Sequence, residues 1–446
     1  MGTMKLITPP WMQSRLLFAS VIYTLTTAFL SLIPPKCLFS SPPFDTIQQS
    51  PFSYPPSYGE HKYAIPTLRS TCSSPIPFSD YSLAAKEIEE LCTNFTRKSQ
   101  NPKYIEKKNL QSDSFGGNFT AEERLSHFRN LTHKNPIPCG FLKPFPVSNS
   151  DQILMEQCQQ VIVVSAIFNN HDKIRQPKSI GPKTLELCSF FLFVDEITFQ
   201  ELTNLSLITP KTLKIGVWRI IKVSSETLYP SPAMNGVIPK YLLHRMFPRA
   251  KYSIWVDAKL QLRVDPLLLI HSLLISKQVD LSISKHPFFV HTMEEAYATA
   301  RWRKWLDVEG LRKQMEHYCE NGLKPWSKLK LPYESDVPDS ALILRKHGGA
   351  SDVFNCLVFN EMEAFSHRDQ LSFAFVRDLM RKEMMVNMFM FEVEVFEQVA
   401  VEYRHIVKKI GDFGENRVNR VAFMFDFNKT SKCDSYLRQM WGESLD

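Results

Sequence analysis

Asp257 closes the run Tyr-Ser-Ile-Trp-Val-Asp-Ala-Lys, an apolar stretch that ends in an acid. A carboxylate at the carboxyl end of a strand can hold a divalent cation that bridges a nucleotide diphosphate. Lys259, two residues on, offers a fixed positive charge for the same departing group. The other reading of Asp257 is a cap for the next turn. Asp369 opens the segment Asp369–Met380, where it either orients or deprotonates an acceptor hydroxyl, or serves as a helix cap. Asp195 ends Phe-Val-Asp-Glu and either contacts a nucleoside or caps a turn. Asn169-Asn170-His171-Asp172 follows another apolar run, where a base and ribose could lie or where a plain polar turn would do. Lys240, Arg245 and Arg249 precede the Asp257 strand, either to reach phosphates or as solvated basic residues. The twelve histidines form no H-E-x-x-H, and His286 and His291 are five apart, which argues against a zinc hydrolase. The chain also lacks G-x-S-x-G, a P-loop and G-x-G-x-x-G.

These residues need a scaffold, and the hydrophobic pattern supplies one from about residue 136 onward. Strands are predicted over Val161–Ile167, Cys188–Val194, Ile215–Val223, Tyr252–Val256, Leu281–Ser284 and Ala341–Leu344. Helices are predicted over Val237–Met246, from Asp265-Pro266 through Ile275, and over Glu294–Glu320, Ser351–Phe365 and Asp369–Met380. Strands alternating with helices predict an α/β domain with a mostly parallel sheet and crossover helices. Thr120 with Glu123 predicts a capping box before Leu125 and Phe128.

The net charge of +7 comes from 53 basic and 46 acidic residues without a long basic block, which excludes a nucleic-acid partner. Leu16–Ile33 is uncharged, spans about 27 Å as a helix, and follows Lys5 and Arg15 with no acid before it. It ends in Ile33-Pro34-Pro35 with no small-residue cleavage site, so a signal anchor is favoured over a cleaved signal. The expected division is a cytosolic tail at 1–15, an anchor at 16–33, a Pro-rich glycosylated stem at 34–135 and a lumenal domain at 136–446. Ten prolines between 34 and 77 argue for an extended spacer. Glycosylation sequons stand at Asn94, Asn118, Asn130, Asn204 and Asn428. The nine cysteines include no C-x-x-C, so zinc knuckles are not expected; disulfides are open to a lumenal chain, and Cys188 reads as a buried thiol.

Many of these pieces, in one order from Cys139 to His405, resemble the plant TOD/MUCI glycosyltransferase-like family. They include Ala166-Ile167-Phe168 with Asp172 and Gln176-Pro177, Phe193-Val194-Asp195-Glu196, and Pro239-Lys240 with His244-Arg245-Met246-Phe247-Pro248. Tyr252–Leu262, Asp265-Pro266, Ile283–His286, Ser335–Pro338, Phe359-Asn360-Glu361, Arg368–Phe373 and Asn387-Met388-Phe389 follow. The resemblance implies a GT-A-like, Rossmann-type domain in a single-pass type II Golgi membrane protein, with a nucleotide-sugar donor and a polysaccharide or glycan acceptor. Other Golgi transferases are its expected neighbours. It implies donor contacts from Asp172, Gln176, Asp195, Lys240, Arg245, Asp257 and Lys259, and acceptor chemistry at Asp369 and Gln370. Asp257 and His405 would be the metal ligands. The second Asp of the family's D-x-D is Lys259 here, which leaves Mn²⁺ or Mg²⁺ dependence open. Ala258 stands for the usual Gly, and Asp339-Ser340 for Glu-Gly. The expected function is sugar transfer to a cell-wall or mucilage polysaccharide. The alternatives are a sphingolipid amide hydrolase, since an alkaline-ceramidase label is also attached to the family, and a non-catalytic lumenal scaffold.

Overall fold

The computed structural model describes the helix at 15–32, parts of the chain between 38 and 131, and residues 135–405 apart from 210, 303, 305, 306 and 382. Its centre is an eight-stranded sheet. The sheet is built from β1 (Val161–Ile167), β2 (Cys188–Val194), β3 (Lys214–Ile215), β4 (Trp218–Lys222) and β5 (Tyr252–Val256), with β7 (Leu281–Lys285), β8 (Pro338–Lys346) and β9 (Met388–Phe391). A separate pair joins β6 (Leu260–Leu262) to β10 (Ala400–Glu402). The order across the large sheet is β9-β7-β8-β5-β1-β2-β4-β3. Neighbours pair in parallel except β8, which runs against β5 and β7, and β3, which runs against β4.

The runs Val-Ile-Val-Val-Ser-Ala-Ile and Cys-Ser-Phe-Phe-Leu-Phe-Val are nearly all apolar because both faces of the sheet are covered. Ile162 and Val164 point to one core with Trp255; Val161 and Val163 point to the other with Ile254. The first core is closed by α1 (Pro232–Tyr241), α2 (Gly349–Ala364) and α3 (Asp369–Met380). The second is closed by Leu267–Leu274 and by the helix Tyr81–Thr93. The expected fold class is therefore met in its main features: mixed α/β, mostly parallel, with crossover helices.

Asp265 caps its helix as expected, accepting from Leu267 N–H at 2.8 Å. The Thr120–Glu123 capping box also forms, at 2.7 and 3.3 Å. Asp369–Met380 is helical over the range read from the sequence. Three predicted elements differ. Ile215–Val223 is a hairpin, because Gly216 takes φ +57° and turns the chain between β3 and β4. The helix expected over Val237–Met246 begins at Pro232, capped by Ser231, and breaks at Leu242. Glu294–Glu320 is two helices, Thr292–Arg301 and Val308–Glu320, the second restarted by an Asp307 cap.

The folded body also reaches into the segment expected as a stem at 34–135. Tyr81, Ala84, Ala85 and Ile88 are buried in the second core, and Arg124 pairs with buried Glu361 at 2.8 Å. Glu363 on α2 accepts from the backbone N–H of Gly116 and Asn118, each at 3.0 Å.

Arg15–Leu32 is helical, but among the described residues no helix is long and apolar enough to cross a membrane. Within Arg15–Leu32, Thr24, Thr26 and Thr27 turn their hydroxyls back to carbonyls one turn earlier. Asn118 and Asn204 are exposed; Asn94, Asn130 and Asn428 lie outside the described residues.

Candidate active site

The carboxyl ends of β1, β2, β4, β5, β7 and β9 share one edge of the sheet, and the amino end of antiparallel β8 joins them. The chain passes from β1 through β2 to β4 on one side and then returns to β5 on the other. That reversal opens a crevice at the strand ends, where open α/β sheets take their ligands.

Asp257 sits there, directly after β5. Its N–H bonds the Ala341 carbonyl at 2.8 Å, which locks it to β8. Trp255 Nε1 donates to its Oδ1 at 2.6 Å, and Lys240 Nζ approaches that atom at 3.6 Å. Lys240 projects from the last turn of α1 and reaches Asp369 Oδ2 at 2.8 Å and Ser340 Oγ at 3.0 Å. Tyr241 donates its hydroxyl to the same Asp369 oxygen at 3.0 Å. One ammonium thus ties together the end of β5, the start of β8 and the start of α3. Burial opposes a charge on Asp369, but Lys240, Ser340 and Arg368 outweigh it and hold the carboxyl below its usual range. Gln370 follows half-buried in the first turn of α3.

Lys259 lies on the other flank, with Nζ 2.8 Å from Glu402 Oε1. Burial disfavours its charge, yet Asp339, Glu402 and Asp257 prevail and keep it protonated beyond the ordinary lysine range. Asp339 is pushed up by burial, against the pull of Lys259 and of the Ala341 N–H. The β6–β10 pair brings Glu402 here, since Glu402 is in register with Leu260. His405, three residues on, meets both oxygens of Asp172 at 3.0 Å, and that bond raises the imidazole pKa.

Three of the residues expected at a donor are engaged elsewhere. Asp195 caps the helix Glu196–Asn204 and accepts from Thr198 N–H at 2.9 Å and Asn169 N–H at 2.7 Å. That second bond pins the loop after β1, where Asn169 and Asn170 both adopt positive φ. Gln176 is buried; its amide binds Tyr54 OH, the Ile215 carbonyl and Val217 N–H. Arg245 lies over the rings of Tyr104 at 4.0 Å and Phe141 at 5.0 Å.

The expected metal pair gathers no third ligand. Among the described residues, the group of three close enough to hold a metal is Cys139, His244 and Cys356. Cys139 and Cys356 are joined in a disulfide, with His244 Nε2 at 3.4 and 3.3 Å from the two sulfurs, so neither is a thiolate ligand. Asp257 has an ammonium on either flank, and Glu402 already serves Lys259. This donor set does not fit a divalent cation.

Tyr241, Ser340, Asp339, Glu402 and Arg345 were missed as site residues. Arg345 is buried behind Asp369; its Nε donates to Asn355 at 2.9 Å, its NH1 and NH2 groups have no hydrogen-bond partner among the described residues, and burial brings its pKa down to about 10. An arginine at the end of Ala-Leu-Ile-Leu was the readable signal for it. Tyr241 comes from the end of α1; Ser340, Asp339 and Glu402 reach this edge only through the antiparallel β8 and the β10 return.

A mostly parallel sheet with a charged crevice at its switch point defines an α/β domain with a ligand site at the strand ends. The TOD1/MUCI70 glycosyltransferase-like domain model matches residues 95–405, and the chain belongs to that family. It is 53% identical over 464 aligned positions to a protein of Arabidopsis thaliana described as alkaline ceramidase TOD1, covering 99% of each. It is 34% identical over 336 positions to probable hexosyltransferase MUCI70 of the same plant, covering 73% of this chain and 57% of that one. Among solved structures, mouse xyloside xylosyltransferase 1 aligns over 52% of this chain and 85% of its own, at 8% identity and a TM-score of 0.27.

Proposed function

We propose that the protein transfers a hexosyl or pentosyl unit from a nucleotide sugar to a hydroxyl of a cell-wall or mucilage polysaccharide. The observation that carries this reading is the junction at Lys240, where Asp257 and Asp369 meet at the crevice. Asp257 belongs to the donor side and Asp369 to the acceptor side. In the transfer, the acceptor oxygen bonds to the anomeric carbon while the bond from that carbon to the diphosphate breaks. The diphosphate leaves with the electron pair, and the hydroxyl proton passes to an oxygen of the departing diphosphate. Asp369, salt-bridged to Lys240, is a weak base; its part is to orient the hydroxyl. Fixed cations, rather than a metal, stabilise the departing charge.

A lumenal station, in the Golgi, belongs to the same proposal. The buried Cys139–Cys356 disulfide supports it, because such bonds persist in the oxidising secretory pathway.

The test is thermal melting of the protein against a panel of nucleotide sugars, with Mn²⁺ or with chelator. A ligand that binds the native state raises the melting temperature by about 2.7 kcal/mol of stabilisation at a hundredfold excess over Kd. A shift with one nucleotide class, retained in chelator and lost in Asp257→Asn, is the expected result. No shift with any donor overturns the reading.

The name of the 53%-identical relative supports a second reading, hydrolysis of a sphingolipid amide. Turnover of ceramide without sugar nucleotide would favour it. Full biological function of an Asp257→Asn, Asp369→Asn double variant would instead favour a scaffold.

A further inference from the structure

The crevice is unevenly charged. Around Lys240 and Lys259 stand four carboxylates: Asp257, Asp369, Glu402 and Asp339. Lys240, Lys259 and the buried Arg345 do not outnumber these four acids, so that corner offers a diphosphate no surplus of positive charge. The opposite imbalance holds a short way along the edge, beyond β7 and just before α3. Glu295, on the helix Thr292–Arg301, is fully buried and receives Arg368 NH2 at 2.5 Å and Lys304 Nζ at 3.6 Å. One carboxylate there faces a guanidinium and an ammonium, the latter with its pKa lowered by burial against the pull of Glu295.

His286 completes the cluster. Its Nδ1 accepts from the N–H groups of Phe288 and Phe289, at 3.2 and 3.1 Å, so its proton is on Nε2. Nε2 looks toward Glu295 Oε2 from 3.7 Å, too far for a hydrogen bond. Glu295 Oε2 and Arg368 Nε are both buried without a hydrogen-bond partner among the described residues. Burial, together with Lys304, Arg368 and Lys259, brings the His286 pKa down to about 4. It is therefore neutral at pH 7 and acts as a donor. The Lys304 and Arg368 side chains remain 32% and 20% exposed, so an incoming anion can reach them.

We propose that Arg368, Lys304 and His286, gathered on Glu295, form the subsite for the diphosphate of the donor. Glu295 fixes the fork of Arg368 and the Lys304 stem, and the surplus positive charge is left for the ligand. The proposal rests on the sugar-transfer reading. It also explains how a diphosphate is held beside a lysine that is already neutralised. Arg368 directly precedes Asp369, so the start of α3 would serve leaving group and acceptor from adjacent residues.

The experiment is calorimetric titration of the full chain with inorganic pyrophosphate in EDTA. Binding is expected, weakened about tenfold or more by Arg368→Gln and by Lys304→Met, as loss of a charge-assisted contact predicts. Glu295→Gln removes the competing carboxylate and is expected to tighten pyrophosphate; if its melting curve shows an unfolded protein, the two cation variants decide. No binding of pyrophosphate, or unchanged affinity in both cation variants, overturns the proposal. If a nucleotide sugar binds wild type and both variants equally, this subsite fails while the transferase reading stands. If pyrophosphate binds and the variants lose it, yet no nucleotide sugar shifts the melting temperature, the transferase reading fails and the anion subsite stands.

Discussion

At the scale of single residues, Lys240 is the side chain with the most to lose. It is only 12% exposed and serves a 7% exposed carboxylate, so Lys240→Met leaves Asp369 as an uncompensated buried charge. Removing one partner of such a pair costs about 3–5 kcal/mol, measurable as a lowered urea midpoint at pH 7. The pH dependence follows from the direction of the shift. The folded pKa of Asp369 lies below its unfolded value, so its contribution to stability is complete above about pH 4 and is lost as pH falls through the folded pKa. In Lys240→Met that loss should begin at higher pH. His405 runs the other way. Asp172 raises its pKa, so its share of stability is present below about pH 6.5 and fades as pH rises through the folded value. An NMR titration of His405 should give a pKa above the ordinary histidine value, returning toward it in Asp172→Asn. A midpoint unmoved by that substitution would mean that the pair does not form in solution.

At the scale of elements, the hairpin between β3 and β4 depends on Gly216. Its φ of +57° costs a side-chain-bearing residue about 1–2 kcal/mol, and a Cβ there would stand 2.2 Å from Gln176 Oε1. Gly216→Ala should lower the urea midpoint by at least that strain and loosen the Gln176 anchor; a midpoint equal to wild type would show the turn to be wrongly described. This turn also marks how far the sequence could be read. Ile215–Val223 looked like one strand because Val217 and Trp218 continue the apolar run across the glycine. Elements with a local signal were legible: both-face-buried β1 and β2, the Asp265 cap, and α3 opening at Asp369. Asp257 and Asp369 were legible as candidates because each stands at an element boundary, and the structure brings both to Lys240. The contacts of Gln176 and Arg245 were not legible, because pattern alone does not show whether a polar side chain faces a crevice, binds the backbone or lies over a ring. The Glu295 cluster was invisible, since its members are scattered from position 286 to 368 and meet only through tertiary packing.

At the scale of the whole molecule, the disulfide between Cys139 and Cys356 joins the loop before β1 to α2 across 217 residues. Cys319 is disulfide-bonded as well. Losing the first bond should cost about 2–5 kcal/mol, so a Cys139→Ser, Cys356→Ser double variant should melt well below wild type; an unchanged melting temperature would argue that the two sulfurs are not joined. The bond has a further consequence. Every strand from β1 to β8 lies inside the covalent ring that it closes. A protease that cuts the chain once within that ring opens it without parting the pieces. Such a nicked molecule should migrate as one band until a thiol is added, and then as two.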